Sequence, residues 1–459
     1  MYFNIFRRKR AEPAGPPADQ ATEASSSTGP APEGGFLTCA LQLDSERHIK
    51  GCKFEWRAES DAASGSENFR TLLTTLALNL RGAKTAWRLG KLVVYIDATA
   101  EGLGFKELQA LPADRVVLCL RLAELADMKL RPSLEALRSQ GFGVMLCGQE
   151  VLPQALEAPE PVPSETGDER SRISEDQYGG LSFITHLDVL DGRKDLVDGA
   201  RHLRGPGEPA VLPIATRIAN WPEFDACASR KLDAFVGGDL AIAAELESGA
   251  RLQPESVLII RVLQMLQRNE DVREVEAALR IDEELTARLL RHINTLASSH
   301  DVEVHSLHHA VGLLGYAALF RWLSLLLATS TKASGLAYMT KKAIMRGRFV
   351  ELMGQGTLPA EESNNLFVAG MFSLIDRVLG IPMEEVLTKV QLPGAVQEAI
   401  RTRGGLYGQF VALAETCEID ASGAASLAKS VGLSAERVNA SHLAAMTWAM
   451  DVDSREATR

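Results

Sequence analysis

An α/β half followed by an all-α half is the fold class this sequence predicts, and three observations carry it. Seven short β-rich runs alternate with helix-length segments between Phe36 and Ile214, the pattern of β/α units closing into a barrel, whole or abbreviated. The β-rich runs stop by about residue 245. From Pro254 to about residue 450, apolar residues recur instead at helical spacing.

Residues 1–35 are expected to form a disordered N-terminal tail, because 11–35 hold Ala, Pro, Gly, Ser and Glu with almost nothing to bury. The start, Met1-Tyr-Phe-Asn-Ile-Phe-Arg-Arg-Lys-Arg10, sets apolar residues before charges, the reverse of a secretory signal. It reads as a plain tail, with a short membrane-surface or partner-docking anchor as the alternative. Within 36–245, strands are expected at Leu37–Leu43, Ile49–Arg57, Leu92–Asp97, Arg115–Leu120, Gly143–Cys147, Phe183–Leu187 and Val211–Ile214. Asn68–Arg81 and Pro132–Ser139 read as helices between them. Residues 153–180, rich in Pro, Glu, Ser and Gly, read as a long exposed loop.

Residues 246–459 form the second unit. Pro254 suits the first position of a helix ending near Gln267, with Val257, Ile260, Leu263 and Leu266 on its buried stripe. Asp282 caps the next, whose buried stripe is Leu285, Leu289 and Ile293. Further helices are expected at 306–330, 337–353, 362–380, 383–390, 394–402, 406–417, 421–430 and 434–450. The nearly all-round apolar stretch Leu313, Leu314, Ala317, Leu319, Phe320, Leu323 and Leu326 predicts a central core helix, with Trp322 packed inside.

Composition narrows the function classes. At 46% apolar and 24% charged the chain has an ordinary globular make-up, and 459 residues suffice for two or three cores. A net charge of −11 argues against a general nucleic-acid binder. No apolar run reaches the ~20 residues that span a bilayer. The cysteines Cys39, Cys52, Cys119, Cys147, Cys227 and Cys417 are scattered, with no Cys-x-x-Cys pair, and predict buried free thiols in a reducing, cytoplasmic setting. His305, His308 and His309 are the densest histidine group, and they read as surface or capping residues rather than metal ligands.

The helical half resembles the HDOD domain, a non-catalytic relative of the HD phosphohydrolases. The resemblance rests on Asp282-Glu-Glu-Leu-Thr-Ala-Arg-Leu-Leu-Arg-His-Ile-Asn294, on Ser306-Leu-His-His-Ala-Val-Gly-Leu-Leu-Gly315, and on Ala369 to Leu413. Its signature positions are Asp282, Leu285, Arg288, Leu289, Asn294 and Gly315; Thr295 stands where the family has Ser. In Ala369-Gly-Met-Phe-Ser-Leu-Ile-Asp376, Phe372 and Ser373 occupy the place of the His-Asp metal pair of the active relatives. Asn294 is expected to cap or bridge backbone groups, and Gly312 and Gly315 to permit close packing or a helix end.

With strand-helix units ahead of it, the whole chain resembles the EAL-HDOD signalling proteins, whose first domain is related to the barrel that hydrolyses cyclic di-GMP. That resemblance implies a two-cation site of converging carboxylates at the strand ends. Here Lys53-Phe-Glu-Trp-Arg57 falls on the E-x-L segment and Tyr95-Ile-Asp97 on the strand Asn. His186-Leu-Asp188 replaces Lys-Ile-Asp, Ile214-Ala-Thr-Arg-Ile-Ala-Asn220 lacks both glutamates, and Val236-Gly237 stands for Gln-Gly. Glu55, Asp97 and Asp188 are the remnant metal candidates, and solvent-facing acids at a barrel mouth are the preferred reading of them.

The resemblance therefore implies a degenerate EAL-like barrel coupled to an HDOD bundle, with no catalytic residue and no cofactor. The expected function is a protein-interaction platform whose partners are signalling or regulatory proteins, in motility, biofilm or two-component regulation. Homo-oligomerisation stays open. The alternatives are a phosphodiesterase or HD-type hydrolase with atypical ligands, and a nucleotide sensor that binds without cleaving.

Overall fold

The structure, a computed structural model, describes residues 34–59, 64–81, 87–121, 124, 129–148, 183–203, 209–236, 252–297, 304–330 and 337–456. The segment Met1–Arg10, nearly all of the expected tail, the expected loop at 153–180, Gly237 and the boundary at 245/246 lie outside the described residues.

Eight strands close a barrel: β1 (Gly35–Leu43), β2 (Ile49–Ala58), β3 (Val93–Asp97), β4 (Val116–Arg121), β5 (Gly143–Cys147), β6 (His186–Asp188), β7 (Leu212–Ala215) and β8 (Asp233–Val236). Strand β1 runs antiparallel to both β2 and β8, and every other neighbouring pair is parallel. The barrel is thus complete, not abbreviated. Its eighth strand has only four residues, too few for alternation to show in the sequence.

Helices α1 (Gly65–Leu80), α2 (Arg131–Ser139), α3 (Lys194–His202) and α4 (Trp221–Ala228) flank the strands. Helix α1 opens on a capping box in which Ser64 and Glu67 satisfy each other's backbone amides. Sequence reading passed over α3 and α4. For α4 a signal existed: Asn220 accepts the Glu223 amide at 2.9 Å, with Pro222 in the first turn, a start motif visible in Asn220-Trp-Pro-Glu223.

Period-2 alternation sorts each barrel strand. Val94 and Ile96, or Leu118 and Leu120, face out into the main core beneath the helices. Tyr95, Val117, Cys119, Met145, Ile214 and Phe235 face in and fill the barrel interior, with Tyr95 edge-on to Phe235 at 5.0 Å between ring centres.

The second half comprises α5 (Pro254–Gln267), α6 (Val272–Leu279), α7 (Glu283–Ala297), α8 (Leu307–Thr329), α9 (Ala337–Gly354), α10 (Ser363–Phe372), α11 (Ile375–Leu379), α12 (Met383–Val390), α13 (Gly394–Thr402), α14 (Gly405–Ile419), α15 (Ala424–Ser430) and α16 (Ala435–Glu456). Four expectations need correction. Helix α6, capped by Asp271, was not foreseen. The single helix expected over 362–380 is two, broken at Ser373–Leu374 and ended by Gly380 in the left-handed region. Val257 is 53% exposed and Leu313 41%, so neither belongs to its predicted buried stripe, while Ile260, Leu263, Leu319 and Leu323 do. Ala317 is exposed as well. A positive φ at Gly315 (80°, with ψ 169°) kinks α8 there and swings its first two turns off the core axis. Trp322 is buried as expected.

The two halves share an interface. Strand β1 has no barrel helix over its outer face; α14, α15 and α16 cover it, and α16 also packs on α1. Leu37, Leu41 and Leu43 are thereby buried. Across the same interface Tyr338 of α9 meets Trp221 of α4 edge-on.

Candidate functional site

In a parallel barrel the residues that end the strands converge on one mouth. Here that mouth is a cavity of about 590 Å³ whose lining includes Lys53, Glu55, Asp97, Cys119, Asp188 and Thr216. All three remnant acids therefore reach one cavity, although they come from β2, β3 and β6.

They do not form an open cation site. The Lys53 ammonium lies 3.1 Å from Glu55 Oε1 and 3.0 Å from Asp97 Oδ1, so a protein cation holds the space between the two carboxylates. Burial opposes the lysine's charge, but Asp97 foremost outweighs it, and the ammonium is held well above its ordinary pKa. Lys53 does not titrate away near neutral pH.

Asp188 is committed to the fold. Its Oδ1 accepts from the Leu190 amide at 2.8 Å and from Thr216 Oγ1 at 2.5 Å, and its Oδ2 from the Gly148 amide at 3.1 Å. The buried carboxylate thus ties the ends of β5, β6 and β7 together. A divalent-ion pair needs several free oxygen ligands at one point. The residues present do not fit that group, and among the described residues no cluster of three His, Cys, Asp or Glu could hold a metal. Sequence reading found the three acids but missed Lys53, which lies in the very segment aligned on E-x-L. Its alternation with Glu55 on one strand face was the available signal.

A second cluster, centred on an arginine and a lysine, lies in the helical half beside Phe372 and Ser373. Phe372 is fully buried in the core. Ser373 Oγ accepts from Arg346 Nη1 at 2.9 Å. The same guanidinium donates to both oxygens of Glu418, at 2.9 and 2.7 Å, and to Glu415 Oε1 at 2.8 Å. Lys342 Nζ stands 3.5 Å from Glu418, and Arg403 makes a bidentate pair with Glu415 at 2.7 Å for each bond. Burial works to raise the Glu418 carboxyl, and Arg346 and Lys342 outweigh it, holding it below the usual carboxylate range. An arginine on α9 and glutamates on α14 thus join those two helices through a buried charged network.

The other signature positions act on the backbone and between helices. Asp282 Oδ1 accepts the Leu285 amide at 2.9 Å and caps α7, while Leu285 and Leu289 are buried. Arg288 pairs with Glu255 at 2.7 Å, joining α7 to α5. Asn294 donates to the Val304 carbonyl at 2.8 Å and accepts the Val304 amide at 2.7 Å, clamping the end of α7 to the approach to α8. An added Cβ at Gly315 would meet nothing within 4 Å, so the glycine serves the backbone conformation rather than packing. His305, His308 and His309 are exposed.

Comparison with known proteins places one domain match in the helical half. The HDOD domain family model matches residues 252–385. The cyclic di-GMP phosphodiesterase CdgJ of Vibrio cholerae is 26% identical over 204 residues, covering 44% of this chain and 47% of that protein. The uncharacterized protein YuxH of Bacillus subtilis is 24% identical over 151 residues, covering 32% of this chain and 37% of that protein. The matches thus span about half or less of these curated relatives. Solved structures with weak overall likeness include the Xanthomonas citri FimX EAL domain in complex with c-di-GMP (TM-score 0.30, 12% identity, 44% of this chain and 85% of that one). Another is the Bacillus subtilis YkuI protein, with an EAL domain (TM-score 0.29, 11% identity, 61% and 73%). The chain carries an HDOD domain. A closed eight-stranded barrel precedes it.

Proposed function

We propose that this chain is a non-catalytic signalling protein in which a degenerate EAL-type barrel and the HDOD domain act together as a protein-interaction platform. The observation that carries the reading is Lys53: its ammonium bridges Glu55 and Asp97, so the barrel mouth offers no vacant carboxylate pair for the two cations that phosphodiester hydrolysis would use. The Arg346 cluster supports it from the other half, where Ser373 accepts a guanidinium hydrogen bond at the position of a metal pair. The proposal includes a cytoplasmic location, where the six thiols stay reduced, and signalling or regulatory proteins as partners.

One observation favours a second reading, a sensor that binds cyclic di-GMP without cleaving it. The cavity of about 590 Å³ has Arg57 and Arg121 in its lining, cations suited to phosphate. No helix among the described residues is long and apolar enough to cross a membrane.

Purified full-length chain assayed against cyclic di-GMP with Mg²⁺ or Mn²⁺ separates the readings. The platform predicts no turnover and no binding at micromolar nucleotide by calorimetry. Binding without turnover establishes the sensor, and turnover that Glu55→Ala abolishes overturns the non-catalytic reading.

A further inference from the structure

Three sulfur atoms stand together at the barrel mouth, beside the carboxylates. In the parallel register of β4 and β5, Cys119 pairs with Met145 and Arg121 with Cys147, which sets Cys119, Met145 and Cys147 on the same inward face. Cys119 Sγ lies 4.0 Å from Met145 Sδ. All three side chains line the cavity.

We propose that Cys119, Met145 and Cys147 form a binding site for a soft monovalent ion, copper(I). The donor set is two thiols and a thioether, the combination that selects copper(I) over harder divalent ions. The spacing agrees: with metal–sulfur bonds of about 2.3 Å, a trigonal three-sulfur site separates its sulfurs by about 4.0 Å, the distance that Cys119 and Met145 already keep. A disulfide is disfavoured by the same register. Strands about 4.8 Å apart with a rise of about 3.3 Å per residue place diagonal Cα atoms about 8 Å apart, beyond the roughly 7 Å that a disulfide spans.

The surroundings suit a low-charge ion. Tyr95, Val117, Ile214 and Phe235 wall the sulfurs in with apolar surface. Binding breaks two S–H bonds, releases two protons to solvent and forms two copper–thiolate bonds and one copper–thioether bond, with no change of oxidation state. The centre then carries one negative charge. Lys53 lines the same cavity, a protein cation beside that charge.

The test is anaerobic titration of the reduced full-length protein with copper(I) against a chromophoric copper(I) chelator, with thiolate-to-copper absorption in the near ultraviolet as the spectroscopic readout. One equivalent should be retained. Cys119→Ser or Cys147→Ser should weaken retention by about 100-fold or more, since loss of a direct ligand exceeds the roughly 10- to 100-fold cost of losing an outer-shell partner. Met145→Leu, which preserves volume, should cost about tenfold by the same scale. A second measurement needs no variant: copper(I) should protect Cys147 of the native protein from iodoacetamide, mapped by mass spectrometry. Surrender of all copper to the chelator overturns the proposal, as does equal retention by the double Cys→Ser variant or equal alkylation of Cys147 with and without copper.

Discussion

Asn439 on α16 brackets the backbone beside Leu37 on β1: its Oδ1 accepts the Leu37 amide and its Nδ2 donates to the Gly35 carbonyl, each at 2.9 Å. Both groups are buried, and they are 402 residues apart in sequence. One amide side chain thus stands in for a neighbouring strand and seats the helical half on the barrel. The matched HDOD range ends at residue 385, so α14 and α16, which cover β1, follow it.

Replacing Asn439 by Ala should leave a buried amide and a buried carbonyl without partners. The expected loss is about 2–4 kcal/mol, read by urea unfolding. Amide exchange at Leu37 should rise well above that of Val94 in the barrel core. Exchange that stays equal at both sites would mean that Asn439 does not hold the interface.

Lys53→Ala should expose the Glu55–Asp97 pair and let a divalent ion take the lysine's place. Millimolar Mn²⁺ is expected to raise the melting temperature of the variant and leave the native chain unmoved, because only the variant has the ligands free. An equal Mn²⁺ shift in both proteins would show that the lysine does not close the site.

Two histidines, buried His442 and half-buried His186, set an acid limit on stability. Burial depresses His186 to about 4 and lowers His442, which is stacked on Phe349 with Glu418 and Lys342 nearby. Both folded-state values lie below the unfolded value, so the unfolded chain binds more protons in this window. Stability is therefore fully present above about pH 6.5 and falls as the pH drops toward about 4. His186 alone can account for no more than about 3 kcal/mol across that range, at about 1.4 kcal/mol per unit. His186→Asn and His442→Gln should each flatten the unfolding free energy measured between pH 4 and 6.5.

Arg346→Leu should be among the most damaging single changes in the helical half, because it strands Glu418 and part of Glu415 as buried charges. About 3–5 kcal/mol is expected. The double variant Arg346→Leu with Glu418→Leu should recover part of this. A double-mutant cycle with no coupling would show that the cluster is not a unit.

Gly315→Ala should cost about 1–3 kcal/mol by backbone strain alone, since φ 80° with ψ 169° is a region nearly exclusive to glycine. Thermal melting checks it. Gly312→Ala, three residues earlier and without a positive φ, should not destabilise comparably.

Local signals in the sequence were enough for the fold class and most elements. The run Pro254–Gln267, with proline at its start and a 3.6-residue apolar period, is a helix with those same bounds, as are Met383–Val390 and Gly394–Thr402. Inward and outward alternation likewise placed the long strands. Tertiary structure alone decided which charged groups meet across elements. Lys53 meets Asp97 because β2 and β3 are hydrogen-bonded neighbours, and Arg346 meets Glu418 because α9 and α14 pack together. Neither relation leaves a periodic trace, since periodicity records which face of an element is buried and not what stands opposite it. The closure of β8 onto β1 and the Asn439 bracket at Leu37 belong to the same class of fact: long-range pairings set by how whole layers stack.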